Sequence, residues 1–280
     1  MPLTSESIAA RLPDAALALL AAFTGFVLFG FAVFALHPER IAAVPGAAEF
    51  SVTAFRLLPA AHIWIAAVAL FAALAWRAGA RWAPAFLAVY AISLTSELLG
   101  TGYGIPFGPY HYSPLLGVEW LGRVPIVIPL SWFAMAAPSY ALARAALGKA
   151  ARWWTVIPFG SLLLTAWDLS LDPAMSHATR YWVWGATGVY YGMPWSNLLG
   201  WFLTGVALMI ALAALGADRW ATRVPVRWMA AYYLVTLALP LGMCAAAGLW
   251  LAVAVSVLAL GAAFAIAVRT GAYRRGMGVA

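Results

Sequence analysis

The chain has 280 residues, 65% of them hydrophobic and 9% charged, with a net charge of +7. A soluble domain is about half apolar and about a quarter charged, so the composition excludes an ordinary soluble protein. The basic residues stand one to three at a time between apolar runs. That is the pattern of topology-setting charges, and it excludes a nucleic-acid partner.

The first apolar run, from about Ala15 to Leu36, follows Arg11. It is too long for the core of a cleavable signal and long enough to span a bilayer. Seven further spans are predicted, at about 57–76, 82–102, 125–147, 154–172, 195–215, 227–246 and 248–268. Each is close to the roughly 20 residues a bilayer requires. A tight turn at Ala246–Gly248 makes the last two a hairpin, and the charged "ADRWATRVPVR" at 217–227 separates the sixth from the seventh. The expected fold is all-α: one polytopic membrane bundle of about eight helices over residues 1–280. Cys244 lies in an apolar stretch and suits a small core residue; as the single cysteine it excludes an intramolecular disulfide.

Eight spans put both termini on one side. That side holds Arg11, Arg77, Arg81, Arg144, Lys149, Arg152, Arg219, Arg223, Arg227, Arg269, Arg274 and Arg275, 12 of the 16 basic residues; Arg40, Arg56, Arg123 and Arg180 lie on the other. The positive-inside rule makes the first side cytoplasmic. The long connections at 103–124 and 173–194 then lie outside. They carry "GYGIPFGPYHYSP" and "RYWVWGATGVYYGMPW". Irregular backbone this apolar suits a re-entrant or capping loop that lines a cavity, and equally an interfacial aromatic belt.

Few ionisable residues fall inside the spans. Glu97 lies in the third, and Asp168 and Asp172 close the fifth. A charge in the bilayer costs at least about 2.5 kcal/mol on insertion scales, which makes all three functional candidates. Asp168 and Asp172 are four residues apart and share a helix face, with Thr165 beside them. Structural roles stay open: Asp172 precedes Pro173 and could end its helix, and Asp168 could bond a neighbouring helix. Ser96, Trp132 and Asn197 are expected at the same depth on three helices. The loops add Tyr103, Tyr110, His111, Tyr112, Tyr190, Tyr191 and Trp195. His37 and His62 suit interfacial or packed positions, and His177 a loop.

Phosphate loops, dinucleotide fingerprints, histidine clusters and a GxSxG elbow are absent. What remains is acid–base chemistry by carboxyl groups in a dry pocket. A desolvated carboxyl can keep its proton near neutral pH, and aromatic faces stabilise cations. Together these suit protonation of an isolated alkene.

Four segments carry a family resemblance: "SELLGTGYGIPFGPYHYSPLLG" (96–117), "VPIVIPLSWFAM" (124–135), "AWDLSLDPAM" (166–175) and "YYGMPWSNLLGW" (190–201). Over about residues 57–270 the chain resembles the CruF-type membrane carotenoid hydratases, which include the bisanhydrobacterioruberin hydratases and the carotenoid 1′,2′-hydratases. The resemblance implies addition of water to the terminal C1′,C2′ double bond of an acyclic carotenoid, such as lycopene, γ-carotene or a bisanhydrobacterioruberin-like pigment. It implies no cofactor, no metal, and a bacterial or archaeal membrane setting. Contact with other enzymes of the carotenoid pathway is compatible with it. Asp168 or Glu97 is then the expected proton donor, and the other carboxylates hold the water. Asn197, His111 and Tyr112 would support that water. Trp132, Tyr110, Tyr103 and Trp195 would line the polyene end. Three alternatives share these features. A lycopene-type cyclase would use the same cation, a prenyltransferase would use "DLSLD" to hold magnesium diphosphate, and a non-catalytic carotenoid- or lipid-binding protein would use the pocket alone.

Overall fold

The computed structural model describes residues 5–42, 44–148 and 150–270, with side chains from Arg11 onward. Lys149, Arg274 and Arg275, counted above for topology, lie outside the described residues. In chain order the helices are α1 (Ser5–Gly30), α2 (Pro38–Ala42), α3 (Ala47–Ala78), α4 (Ala83–Tyr103), α5 (Val127–Leu147), α6 (Trp153–Asp172), α7 (Trp195–Ala214), α8 (Ala217–Trp220), α9 (Val226–Ala246) and α10 (Trp250–Arg269). Among the described residues four short strands lie between them: β1 (Tyr110–Tyr112), β2 (Glu119–Trp120), β3 (Val124–Pro125) and β4 (Trp182–Trp184).

Each of the eight expected spans coincides with one long helix. Length and apolarity together qualify six helical stretches as membrane-crossing, one of which, Ala47–Tyr103, contains both α3 and α4. The long helix outside those six is α5. It packs against α3, α4, α6, α7, α9 and α10, so it occupies the middle of the bundle. A helix enclosed by other helices meets little lipid, which lets α5 carry Ser131, Pro138 and Ser139 with little penalty. By contrast, α10 buries only Ala252 and Ser256, and its Leu251, Val257, Leu258 and Val268 are exposed. The protein is an integral membrane helical bundle.

The end of α5 opposite the aromatic loops is fastened by a charge pair. Arg144 Nε donates to Asp218 Oδ1 at 2.8 Å and Nη2 to Oδ2 at 2.5 Å, a bidentate contact. Tyr140 adds a third donor to Asp218 at 2.8 Å.

The two aromatic loops meet each other. β1 pairs antiparallel with β4 in the register Tyr110↔Trp184, His111↔Val183, Tyr112↔Trp182. Side chains alternate along a strand, so Tyr110, Tyr112, Trp182 and Trp184 share one face and His111 and Val183 the other. Two prolines anchor this ribbon. A proline in a helix leaves the carbonyl four residues earlier without its donor. Pro59 of α3 leaves Phe55 O, which accepts Tyr181 Oη–H at 2.9 Å. Pro173 leaves Leu169 O, which accepts Tyr190 Oη–H at 2.6 Å. Both tyrosines belong to the 173–194 loop, so two helix defects become its docking points.

Candidate active site

α4 ends where Gly104 takes a left-handed conformation, φ 74°, and turns the chain back over its own last turn. Phe107 then enters a slot between two facing helices. A Cβ on Gly100 would lie 2.8 Å from the Phe107 ring, and one on Gly200 would lie 2.6 Å from it. Only glycine at both positions lets the loop lie this deep. That placement carries Tyr110 and Tyr112 down onto Glu97.

Glu97 is 4% exposed and receives three donors. Oε2 accepts the hydroxyls of Tyr110 and, at 2.8 Å, Tyr112; Oε1 accepts Trp132 Nε1–H at 2.8 Å. An ionised carboxylate is acceptor only, and this donor set suits it. Burial and the neighbouring Glu97 carboxylate push both phenols well above their usual range, so they stay donors.

Around this group the rings form a cage. Trp132 stacks on Trp201 with centroids 4.1 Å apart, and Trp167 lies 6.2 Å from Trp201. Tyr110 lies 5.2 Å from Trp184, and Tyr112 lies 6.0 Å from Trp182. They enclose a void of about 100 Å³, bordered also by Glu97, Asp172, Asn197 and His62. One water needs far less than that.

Asp172 does not cap α6 with its side chain. The helix continues into a wider π-helical turn, Pro173–Ala178. The carboxylate instead takes Trp182 Nε1–H at 2.7 Å, Trp184 Nε1–H at 3.2 Å and Ser176 Oγ–H at 3.2 Å. Asp168 is fully buried. Its Oδ2 accepts Asn197 Nδ2–H at 2.8 Å, while Oδ1 has no partner among the described residues. It stands behind Asn197, outside the cavity wall.

Of the residues singled out in the sequence, Glu97, Asp172, Tyr110, Tyr112, Trp132 and Asn197 thus border one cavity. Asp168, Ser96, Thr165, Tyr190, Tyr191, Tyr103, Trp195 and His111 are not among its lining residues. Tyr103 is 78% exposed and Trp195 is 65% exposed. Trp195 and Asn197 are two residues apart on one helix, about 200° around it, so one faces out when the other faces in. His111 lies on the outer face of the ribbon, one residue out of phase with its tyrosine neighbours. Thr165 turns back to Ser161 O at 2.9 Å and meets neither aspartate. Trp167, Trp182, Trp184, Trp201, Phe107 and His62 also border the cavity, and neither hydropathy nor charge singled them out. The alternation "WVW" at 182–184 was the available signal for two of them.

A family described as "Carotenoid biosynthesis protein" matches residues 58–263. The chain is also 35% identical over 137 residues to a bisanhydrobacterioruberin hydratase of Haloarcula japonica, over 48% of this chain and 46% of that relative. The match therefore spans less than half the length of that relative. No solved structure matches the chain. With residues 58–263 taking in the acidic cluster, both paired loops and every helix around the cavity, the chain belongs to the carotenoid biosynthesis protein family.

Proposed function

We propose that this protein is a hydro-lyase that adds water to the terminal C1′,C2′ double bond of an acyclic carotenoid end group. The observation that carries this reading is the setting of Glu97, a buried carboxylate with three donors beside a cavity walled by indole and phenol rings. The hydratase name of the Haloarcula japonica relative supports the same reaction class. Lycopene, γ-carotene and bisanhydrobacterioruberin-like pigments are the substrates proposed, entering from the bilayer. Both termini are assigned to the cytoplasmic side on charge distribution.

The chemistry follows from the groups present. A proton added at C2′ leaves a tertiary cation at C1′. The faces of Trp132, Trp201 and Trp184 offer π density to that charge, and Glu97 opposes it with a full negative charge. The Asp168–Asp172 pair supplies the proton. Asp172 borders the cavity, and Asp168 keeps one oxygen free of donors. Water bonds to C1′ through oxygen and loses one proton, which returns to the pair. One water is consumed, and the product is a tertiary alcohol with no change of oxidation state.

The prenyltransferase alternative needs the same aspartates as magnesium ligands. Here Asp172 is engaged by two indole N–H groups and a hydroxyl, which turns hydrogen-bond donors where a cation would sit. The test is expression in a lycopene-producing host followed by pigment mass analysis. A product heavier by one water is the expected result. An isomeric product of unchanged mass would indicate cyclisation, and dependence on magnesium and a prenyl diphosphate would revive the transferase.

A further inference from the structure

His62 of α3 borders the same cavity as Glu97, yet the mechanism above leaves it idle. It is 6% exposed, and its ring packs against Phe23 with centroids 6.3 Å apart. Its Nε2 lies 2.9 Å from Thr24 Oγ1 of α1. That threonine has one hydroxyl proton, and it goes to Leu20 O at 2.8 Å, the back-bond usual for threonine in a helix. Toward His62 the threonine oxygen can therefore only accept. The tautomer this arrangement favours carries the imidazole proton on Nε2 and leaves Nδ1 as the acceptor. No donor among the described residues reaches Nδ1. The arrangement is an imidazole tied through Nε2 to a third group, on a residue that borders the cavity.

We infer that His62 is the water-holding base of the hydration, a role that rests on the hydratase reading. Nδ1 accepts a hydrogen bond from the attacking water and takes its proton as the C1′–O bond forms. The imidazolium then passes that proton to the Asp168–Asp172 pair through cavity water, which resets both groups. Thr24 is a positioning residue, because it acts only through the His62 tautomer. The division of labour separates two half-reactions: the aspartates protonate carbon, and His62 delivers oxygen.

The two halves can be read independently by incubating full-length protein in membranes with lycopene in deuterated water. In wild type, alcohol accumulates. In His62→Ala the cation still forms but is not captured, and loss of a proton from C2′ regenerates the alkene. Hydration should fall by about 10²-fold or more, while recovered lycopene gains deuterium at its end group at or above the wild-type rate. Thr24→Val keeps the imidazole but frees its tautomer. It should lower hydration by about tenfold with the same rise in exchange relative to alcohol, and it carries the test if His62→Ala fails to fold. Alcohol formation at the wild-type rate in His62→Ala would overturn the inference. So would loss of deuterium exchange in step with hydration, since His62 would then act before the cation. Wild type giving neither alcohol nor exchange would sink the hydratase reading, and the role of His62 with it.

Discussion

Trp132 of α5 donates its indole N–H to Glu97 of α4 at 2.8 Å, so the buried acid is held by a ring that also stacks on Trp201 of α7. One indole thereby ties three helices to one carboxylate. Its edge fixes the charge and its face lines the cavity.

Glu97→Gln keeps the shape of this group and removes its charge. The amide nitrogen would turn a donor toward Trp132 or the two tyrosines, each of which is itself a donor. Hydration should fall by about 10²- to 10⁴-fold. The check is alcohol formed per folded protein, with folding followed by thermal unfolding in detergent. Activity within a few-fold of wild type would remove Glu97 from the chemistry.

Asp172→Asn should affect the ribbon as well as the reaction. Trp182 and Trp184 both donate to Asp172, and an amide offers them one acceptor where the carboxylate offers two. An indole N–H left unpaired in the interior costs about 1–3 kcal/mol. Protease cleavage within 176–192 should become faster than in wild type. Unchanged cleavage would show that the ribbon does not depend on this acid.

Gly200→Ala tests the Phe107 slot. The new methyl would meet the ring at 2.6 Å and the Pro106 backbone at 3.0 Å, so the loop must rise. Overpacking of this kind costs about 1–3 kcal/mol. The expected outcome is a lower unfolding temperature with hydration lost at temperatures where the protein stays folded. A second change, Phe107→Leu, should restore part of both by making room.

Asp218 sets an acid limit on stability. Burial pushes its carboxyl up, but hydrogen bonds from Arg144 and Tyr140 outweigh this and hold it below the ordinary carboxylate range. The folded value is thus below the unfolded one. The contribution is fully present above about pH 4 and is lost as pH falls through the folded value. The group is about half exposed, so the effect is small. Unfolding temperature measured against pH should decline less steeply at the acid end in Asp218→Asn than in wild type. Identical acid limbs would contradict the assignment.

Hydropathy and charge along the chain were enough to place the eight long helices and to isolate Glu97, Asp168 and Asp172 as the acids inside them. Those signals are local: a bilayer demands a run of apolar residues, and a buried charge stands out against that run. The Gly/Pro-rich loops were legible as unusual for the same reason. Which aromatics would face the acids was not legible. With 15 tryptophans in the chain, an indole in a span or loop carries little information by itself. The choice of Trp182 and Trp184, and the exclusion of His111, came from pairing β1 with a strand some 70 residues away, while Trp195 was excluded by its position around α7 relative to Asn197. That register decides by alternation which side chains turn inward. His62 borders the cavity from α3, which packs beside α1, where Thr24 engages its Nε2. The sequence by itself determined the bundle and its acids; tertiary contacts decided which rings, and which imidazole, those acids would face.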